Sequence, residues 1–215
     1  MTFTERAWQT IQPIRAAIDA HPFLDGLERG TLPAETFLHY LAQDAAYLGA
    51  YSKVLASAAA RAHDPGALSF WSAAAADAIA VERRLHESHG VDAATVEASP
   101  TCAAYTSYLL ALTATSSYPV VVAGVLPCFW IYDDVGRRLA ERVGDLDGHP
   151  YADWIGTYGD PAFSAATATA RQLVDAAAEV ASAADVERMR RAFTTASRYE
   201  WMFWDAAWRR EEWPV

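Results

Sequence analysis

An all-α fold is what this chain predicts, and three observations carry the prediction. Apolar residues recur at spacings of three and four almost throughout, the period of one helix face. No segment keeps the alternation that a half-buried strand requires. Proline, glycine and aspartate cluster at points that cut the chain into helix-length pieces. Long helices joined by short connections bury their apolar stripes against one another, so the expected architecture is an antiparallel helical bundle of about seven main helices. With 215 residues, 53% of them hydrophobic, a single domain spanning residues 1–215 is favoured over two.

The elements follow in order. A first helix is expected from Thr4 to Ala20, stopping before His21-Pro22 because the residue ahead of a proline is pushed out of the helical region. The chain then turns through Asp25-Gly26 and Arg29-Gly30. Pro33 suits the first turn of a second helix reaching Ala62, with Thr31 or Glu35 serving its free N–H groups. His63-Asp64-Pro65-Gly66 breaks the chain before a third helix to Ser88, which exits at Gly90. Ser99-Pro100 opens a fourth. Tyr118-Pro119 separates it from a fifth, which Gly124 and Pro127 are placed to bend. Residues Gly144 to Pro150 read as a loop and Tyr151 to Asp160 as a short helix with a turn. Two long helices close the chain, Pro161 to Ala183 and Asp185 to Arg210, the last capped by Asp185.

Charge and cysteine content narrow the function. The formal net charge of -10, from 27 acidic and 17 basic side chains, disfavours nucleic-acid phosphates and anionic membranes as partners. Small uncharged or cationic ligands fit better. Every basic residue except Lys53 is arginine, which reads as compositional bias and marks no site. Asp77, Tyr118-Pro119, Asp133 and Asp175 interrupt the Ala-rich segments, so no membrane span is expected. Counting alone allows Cys102 and Cys128 to pair, but the polar, helical start Met1 to Arg6 has no secretory character. A reducing cytoplasm is therefore expected. The Glu-x-x-His pairs of di-iron bundles are missing, since Glu82 and His86 are four apart, and no Gly-rich phosphate loop occurs. Neither a di-iron site nor a nucleotide site of Walker or Rossmann type is therefore indicated by motif.

The segment Leu126-Pro-Cys-Phe-Trp-Ile-Tyr132 places a thiol and a phenol four residues apart on one helix, so both can face one pocket. Cys128 has no second cysteine in a metal-ligand spacing, which makes it a candidate nucleophile. The plainer alternative is a small buried packing residue. Asp44 and Tyr47, three apart in an apolar stretch, project to the same side; a carboxylate there either binds a ligand or pairs with an arginine. Glu200 lies within Tyr199-Glu-Trp-Met-Phe-Trp204. Turned inward it gains a raised pKa; turned outward it is a solvated residue beside an aromatic stripe of Trp201, Trp204 and Trp208. Tyr105, Tyr132 and Tyr158 each offer a flat apolar face and one hydroxyl, a combination suited to a planar heteroaromatic ligand and also to ordinary packing.

Taken together, His21-Pro-Phe23, Gly30-Thr-Leu-Pro33, Gln43-Asp44 with Tyr47, Tyr105-Thr-Ser107, Leu126 to Tyr132, Trp154-Ile-Gly-Thr-Tyr158 and Tyr199-Glu200 with Phe203-Trp204 form an ordered pattern over nearly the whole chain. It resembles the TenA family, also called thiaminase II or aminopyrimidine aminohydrolase, in its cysteine-bearing class. The resemblance implies a haem-oxygenase-like helical bundle, assembled as a homotetramer, with a pyrimidine pocket and no metal or organic cofactor. It implies hydrolysis of 4-amino-5-aminomethyl-2-methylpyrimidine to the 5-hydroxymethyl pyrimidine and ammonia in thiamine salvage, with thiamine cleavage as a second activity. Residue by residue, it implies Cys128 as nucleophile and Glu200 as the acid/base at a ring nitrogen. Asp44 would bind the amino group, Tyr105, Tyr132 and Tyr158 would line the pocket, and Tyr47 would cover the ring near the leaving group. Ala45-Ala46 departs from the Ser-Tyr of some relatives, which bears on leaving-group preference.

Two other readings use the same residues. A non-catalytic pyrimidine- or thiamine-binding or regulatory module needs the aromatic cage but not Cys128 and Glu200 together. Haem binding or cofactorless oxidation is disfavoured, because no histidine falls in the matched pocket segments.

Overall fold

In the computed structural model, residues 1–89 and 96–215 are described. Among them no strand occurs, and ten helical segments run in order: α1 (Phe3–Thr10), α2 (Gln12–Asp19), α3 (Pro22–Glu28), α4 (Ala34–Arg61), α5 (Pro65–His89), α6 (Pro100–Thr115), α7 (Tyr118–Val143), α8 (Ala152–Tyr158), α9 (Pro161–Glu179) and α10 (Ala183–Arg209). The all-α prediction holds, and the long helices lie within a few residues of their expected bounds. The expected end of the third helix at Gly90 lies outside the described residues.

The differences are local and have causes. The first expected helix is two, because Pro13 opens α2 after a break at Ile11, and a proline tolerated in a first turn is disruptive inside a helix. Asp25-Gly26 is not a turn: Pro22 starts α3 with His21 as its cap, the imidazole Nδ1 accepting from the Phe23 N–H. The turn comes at Gly30, whose φ of 67° is in the left-handed region that favours glycine. Thr31 does not cap α4, whose N-cap is Pro33 without a side-chain bond, while Glu35 lies in its first turn, where its charge favours the free N–H groups as expected. Ser182, not Asp185, caps α10, its hydroxyl accepting from the Asp185 N–H; Asp185 sits in the first turn, where its charge suits the helix dipole.

The core is built around α7, which packs against α10, α9, α8, α6 and α4. Its apolar run is buried from Val120 to Pro127. By length and composition α7 is apolar enough to cross a membrane, but 83% of its most apolar window is buried inside the fold. Its hydropathy is that of a core helix. At the other edge Asp175 of α9 accepts from both the backbone N–H and the hydroxyl of Thr4, each at 2.8 Å. That bond satisfies an otherwise free donor at the start of α1 and ties it to the bundle.

Candidate active site

Five helices deliver the candidate residues. On α4, Tyr40, Asp44, Tyr47 and Tyr51 follow at intervals of four, three and four, so they form one stripe, and all four are buried. On α7 the stripe is Cys128 and Tyr132, with Gly136 one turn further. On α10 it is Glu200 with Phe203 and Trp204, and on α6 it is Tyr105. The short helix α8 adds Trp154 and Tyr158. A Cβ on Gly136 would lie 2.4 Å from the Tyr158 backbone. The missing side chain is thus what lets α8 press onto α7 and set Tyr158 against Tyr132, ring centroids 4.8 Å apart.

The two acids define the electrostatics. Asp44 is 4% exposed and Glu200 2%, and no described cation forms an ion pair with either. The arginine partner offered as the plainer reading of Asp44 is therefore not found among the described residues. Burial pushes Asp44 up to about 7. Burial pushes Glu200 up to about 8, against the Tyr105 hydrogen bond and with the Asp44 charge adding to the rise. Tyr105 donates to Glu200 Oε1 at 2.5 Å, a short hydrogen bond that partly opposes the rise. Glu200 thus faces inward, and of the stripe proposed beside it only Trp204 is buried, while Trp201 is half-buried and Trp208 is 39% exposed.

Cys128 lies among these groups. Its pKa is raised well above the ordinary thiol value by burial and by the Glu200 and Asp44 charges, with Tyr47 and Tyr51 opposing. The resting sulfur is therefore a thiol, not the partly ionised thiolate that a simple activated-cysteine reading expects. Its neighbouring phenols differ in what they can give. Tyr51 donates to the Val125 carbonyl at 2.8 Å, while the buried Tyr47 hydroxyl makes no well-formed hydrogen bond among the described residues yet lies near enough to Cys128 and Tyr105 to act on both. The Tyr47 ring also packs on Tyr105 at 5.0 Å and Phe203 at 5.6 Å.

The sequence reading thus named seven residues that fold into one neighbourhood: Asp44, Tyr47, Tyr105, Cys128, Tyr132, Tyr158 and Glu200, linked through the mutual effects of their charges. It missed Tyr40, Tyr51 and Trp154. The first two were legible as continuations of the Asp44–Tyr47 stripe in each direction. The other thiol, Cys102, contacts the Gln43 carbonyl at 3.6 Å, and burial and the Asp44 charge push it up to about 12. Both cysteines are free. Among the described residues no three His, Cys, Asp or Glu side chains form a metal-binding group.

The sequence model of the TENA/THI-4/PQQC family matches residues 8–210. The thiamine biosynthesis multifunctional protein ThiED of Corynebacterium glutamicum is 39% identical over 207 residues, which are 96% of this chain but 27% of that protein. The chain thus spans about a quarter of that relative's length. The aminopyrimidine aminohydrolase of Bacillus subtilis is 32% identical over 201 residues, 90% of this chain and 84% of that one. A solved TenA homologue from P. horikoshii OT3 superposes with a TM-score of 0.84 at 28% identity, covering 97% of this chain and 99% of that one. A domain from Shewanella denitrificans with a haem oxygenase-like fold shares the architecture at TM-score 0.73 and 15% identity, covering 98% and 93%.

Proposed function

Because the chain belongs to the TENA/THI-4/PQQC family, we propose that it is an aminopyrimidine aminohydrolase of thiamine salvage, hydrolysing 4-amino-5-aminomethyl-2-methylpyrimidine to the 5-hydroxymethyl compound and ammonia, with thiamine cleavage as a second activity. The observation that carries this reading is the burial of Asp44 and Glu200 among phenols without a counter-cation, with the partly buried Cys128 beside them. Two uncompensated acids in an apolar setting favour a ligand that brings hydrogen-bond donors or positive charge. An aminopyrimidine with an ammonium arm does both, whereas an anionic ligand is repelled.

The chemistry follows from those groups. Displacing an amine directly at the ring methylene is slow. Protonation of a ring nitrogen by Glu200, poised near neutral pH, makes the adjacent ring carbon electrophilic. The sulfur of Cys128 adds there as its proton passes to a carboxylate, with Asp44 placed to take it and Tyr47 donating to the sulfur. The ring is now an enamine, whose electron pair expels the protonated amine as ammonia. Water adds to the exocyclic carbon and gives its proton to the released ammonia, the C–S bond breaks as Asp44 returns its proton to the sulfur, and the ring recovers its aromaticity as the ring nitrogen returns its proton to Glu200. The net change is water in and ammonia out, with no redox step. Asp44 also holds the amino substituent, and Tyr105, Tyr132 and Tyr158 line the ring.

We place this activity in a single cytoplasmic domain that assembles as a homotetramer. Trp208, 39% exposed, and Trp213, 49% exposed, support an interface, since large aromatics left on a surface often mark one. Light scattering reads the assembly directly. The test of function is ammonia release from the aminomethylpyrimidine, with thiamine in parallel. The unsubstituted protein turns over, while Cys128→Ser retains product binding and its Tm but loses at least about a thousandfold in kcat, the loss typical of removing a nucleophile that acts as part of a unit. Full activity in Cys128→Ser removes the nucleophile assignment.

A further inference from the structure

The Tyr132 hydroxyl is tied to a chain of donors whose direction is fixed at its far end. Trp154 Nε1 donates to the Tyr40 hydroxyl at 3.2 Å, and Tyr40 donates to the Tyr132 hydroxyl at 3.2 Å. An indole N–H can only donate, so the Tyr40 oxygen is an acceptor toward α8, and the buried Tyr40 hydrogen goes to the oxygen acceptor beside it, Tyr132. Tyr132 then has an oxygen occupied from the Tyr40 side, and its remaining hydrogen points elsewhere. Tyr40 is fully buried, Trp154 and Tyr132 nearly so, so water cannot scramble this order. The ring of Tyr132 is also held between Tyr158 at 4.8 Å and Trp204 at 5.1 Å, which fixes its plane and leaves the hydroxyl torsion as the free variable.

We infer that Trp154 and Tyr40 are positioning residues that set the Tyr132 hydroxyl as a hydrogen-bond donor toward the ligand, where it selects an acceptor atom such as an unprotonated ring nitrogen. The inference rests on the proposed aminopyrimidine reading and extends it to two residues outside the pocket lining. A phenol free to rotate serves donors and acceptors alike. One polarised from behind discriminates, and it is a better donor because its own oxygen is accepting. Three helices cooperate in this: α8 supplies the obligate donor, α4 the relay and α7 the reporting hydroxyl.

A double-mutant cycle on the full chain tests it, read as the Kd for 4-amino-5-hydroxymethyl-2-methylpyrimidine by calorimetry. Tyr40→Phe keeps the ring and its packing but removes the relay, and should weaken binding about three- to tenfold, the usual reach of one buried hydrogen bond. Tyr132→Phe should weaken it at least as much. Adding Tyr40→Phe to Tyr132→Phe should then cost less than about twofold, because the relay has nothing left to orient. Trp154→Phe, which removes the obligate donor, should weaken binding less than Tyr40→Phe. A merely structural Tyr40 gives losses that multiply in the double variant, and that result overturns the relay while leaving the enzyme reading intact. Failure of the unsubstituted chain to bind the pyrimidine sinks the aminopyrimidine reading and the ligand-directed relay together.

Discussion

Helix α7 presents two aromatic environments built from nearly the same residue types and opposite charges. On one side Cys128 and Tyr132 meet Asp44 and Glu200, carboxyl groups buried among tyrosines with no arginine beside them. On the other, Trp130 stacks on Trp8 at 4.1 Å and 9°, and guanidinium groups cap the pair, Arg15 over Trp8 and Arg171 over Trp130, each 4.0 Å from the ring centroid. Aromatic faces carry negative potential, so they attract cations and give nothing back to carboxylates. The Arg–Trp–Trp–Arg stack is therefore stabilised by its charges and fastens α1, α2 and α9 to α7. The acidic side is destabilised by its own, and its carboxyl groups hold their protons into the neutral range. One side of the helix is thus fastened by its charges while the other is left uncompensated.

The largest expected effect divides the two properties of the acidic side. Glu200→Gln should lower kcat by about 10² to 10⁴, the range of a general acid, with binding of the hydroxymethylpyrimidine much less affected. An unchanged kcat would rule out proton transfer by Glu200. The same substitution should stabilise the fold in a pH-dependent way. The carboxyl pKa is raised from 4.5 in the unfolded chain to about 8 in the folded one, so the folded state binds more protons between those values. Stability of the parent is then fullest below about pH 4.5 and declines as pH rises to about 8, beyond which the loss stops growing. Asp44→Asn behaves alike, over the window from 3.8 to about 7. Urea titrations of the parent and each variant should coincide near pH 4 and separate by roughly 2–4 kcal/mol at pH 8.5. Curves that stay parallel across that range would mean the acids are not the uncompensated charges described here.

A middle-sized effect concerns how the acidic side is walled. Gly136→Ala drives a Cβ to 2.4 Å from the Tyr158 backbone, with no flexible side chain to yield. Forcing α8 off α7 should cost about 1–3 kcal/mol of stability and raise KM more than it lowers kcat, because Tyr158 is a wall and not a reacting group. Steady-state kinetics at matched folded fraction separates the two, and a KM within twofold of the parent removes Tyr158 from the pocket wall.

How much of this was legible in the sequence follows from which interactions are local. The helical period gave the bundle, and Ser99-Pro100 gave the start of α6, because capping and proline geometry are settled within four residues. The same kind of signal misled at Pro13, which lay inside an apolar stripe that runs across it, and at Asp185, where Ser182 three residues earlier was the competing cap. Within the site, Asp44, Tyr47, Cys128, Tyr132 and Glu200 stood out as chemically odd side chains on apolar helices. Tyr40 and Tyr51 lie on the same α4 stripe, but a tyrosine in a core is ordinary, and only its distant partners, Trp154 at 114 positions and Val125 at 74, give it meaning. Nor did the sequence show that Glu200 faces inward without a cation. That depends on what the surrounding helices leave out, and Gly136 reads as featureless until Tyr158 is laid across it.

The smallest effect sharpens the comparison from the fastened side. In Arg171→Met the aliphatic stem is kept, and only the guanidinium over Trp130 is lost. Its Nε is buried with no hydrogen-bond partner among the described residues, so the ring face is its main compensation and the lost cation–π attraction is partly offset by relief of that burial. The net cost should be about 0.5–1 kcal/mol, a fall of about 1–4 °C in Tm for a chain of this size. Turnover should stay within twofold, since Trp130 and Cys128 point to different sides of α7 and share no described partner. A tenfold loss of kcat/KM in Arg171→Met would show that the stack sets the position of the sulfur, and the two sides of the helix would then have to be treated as one device.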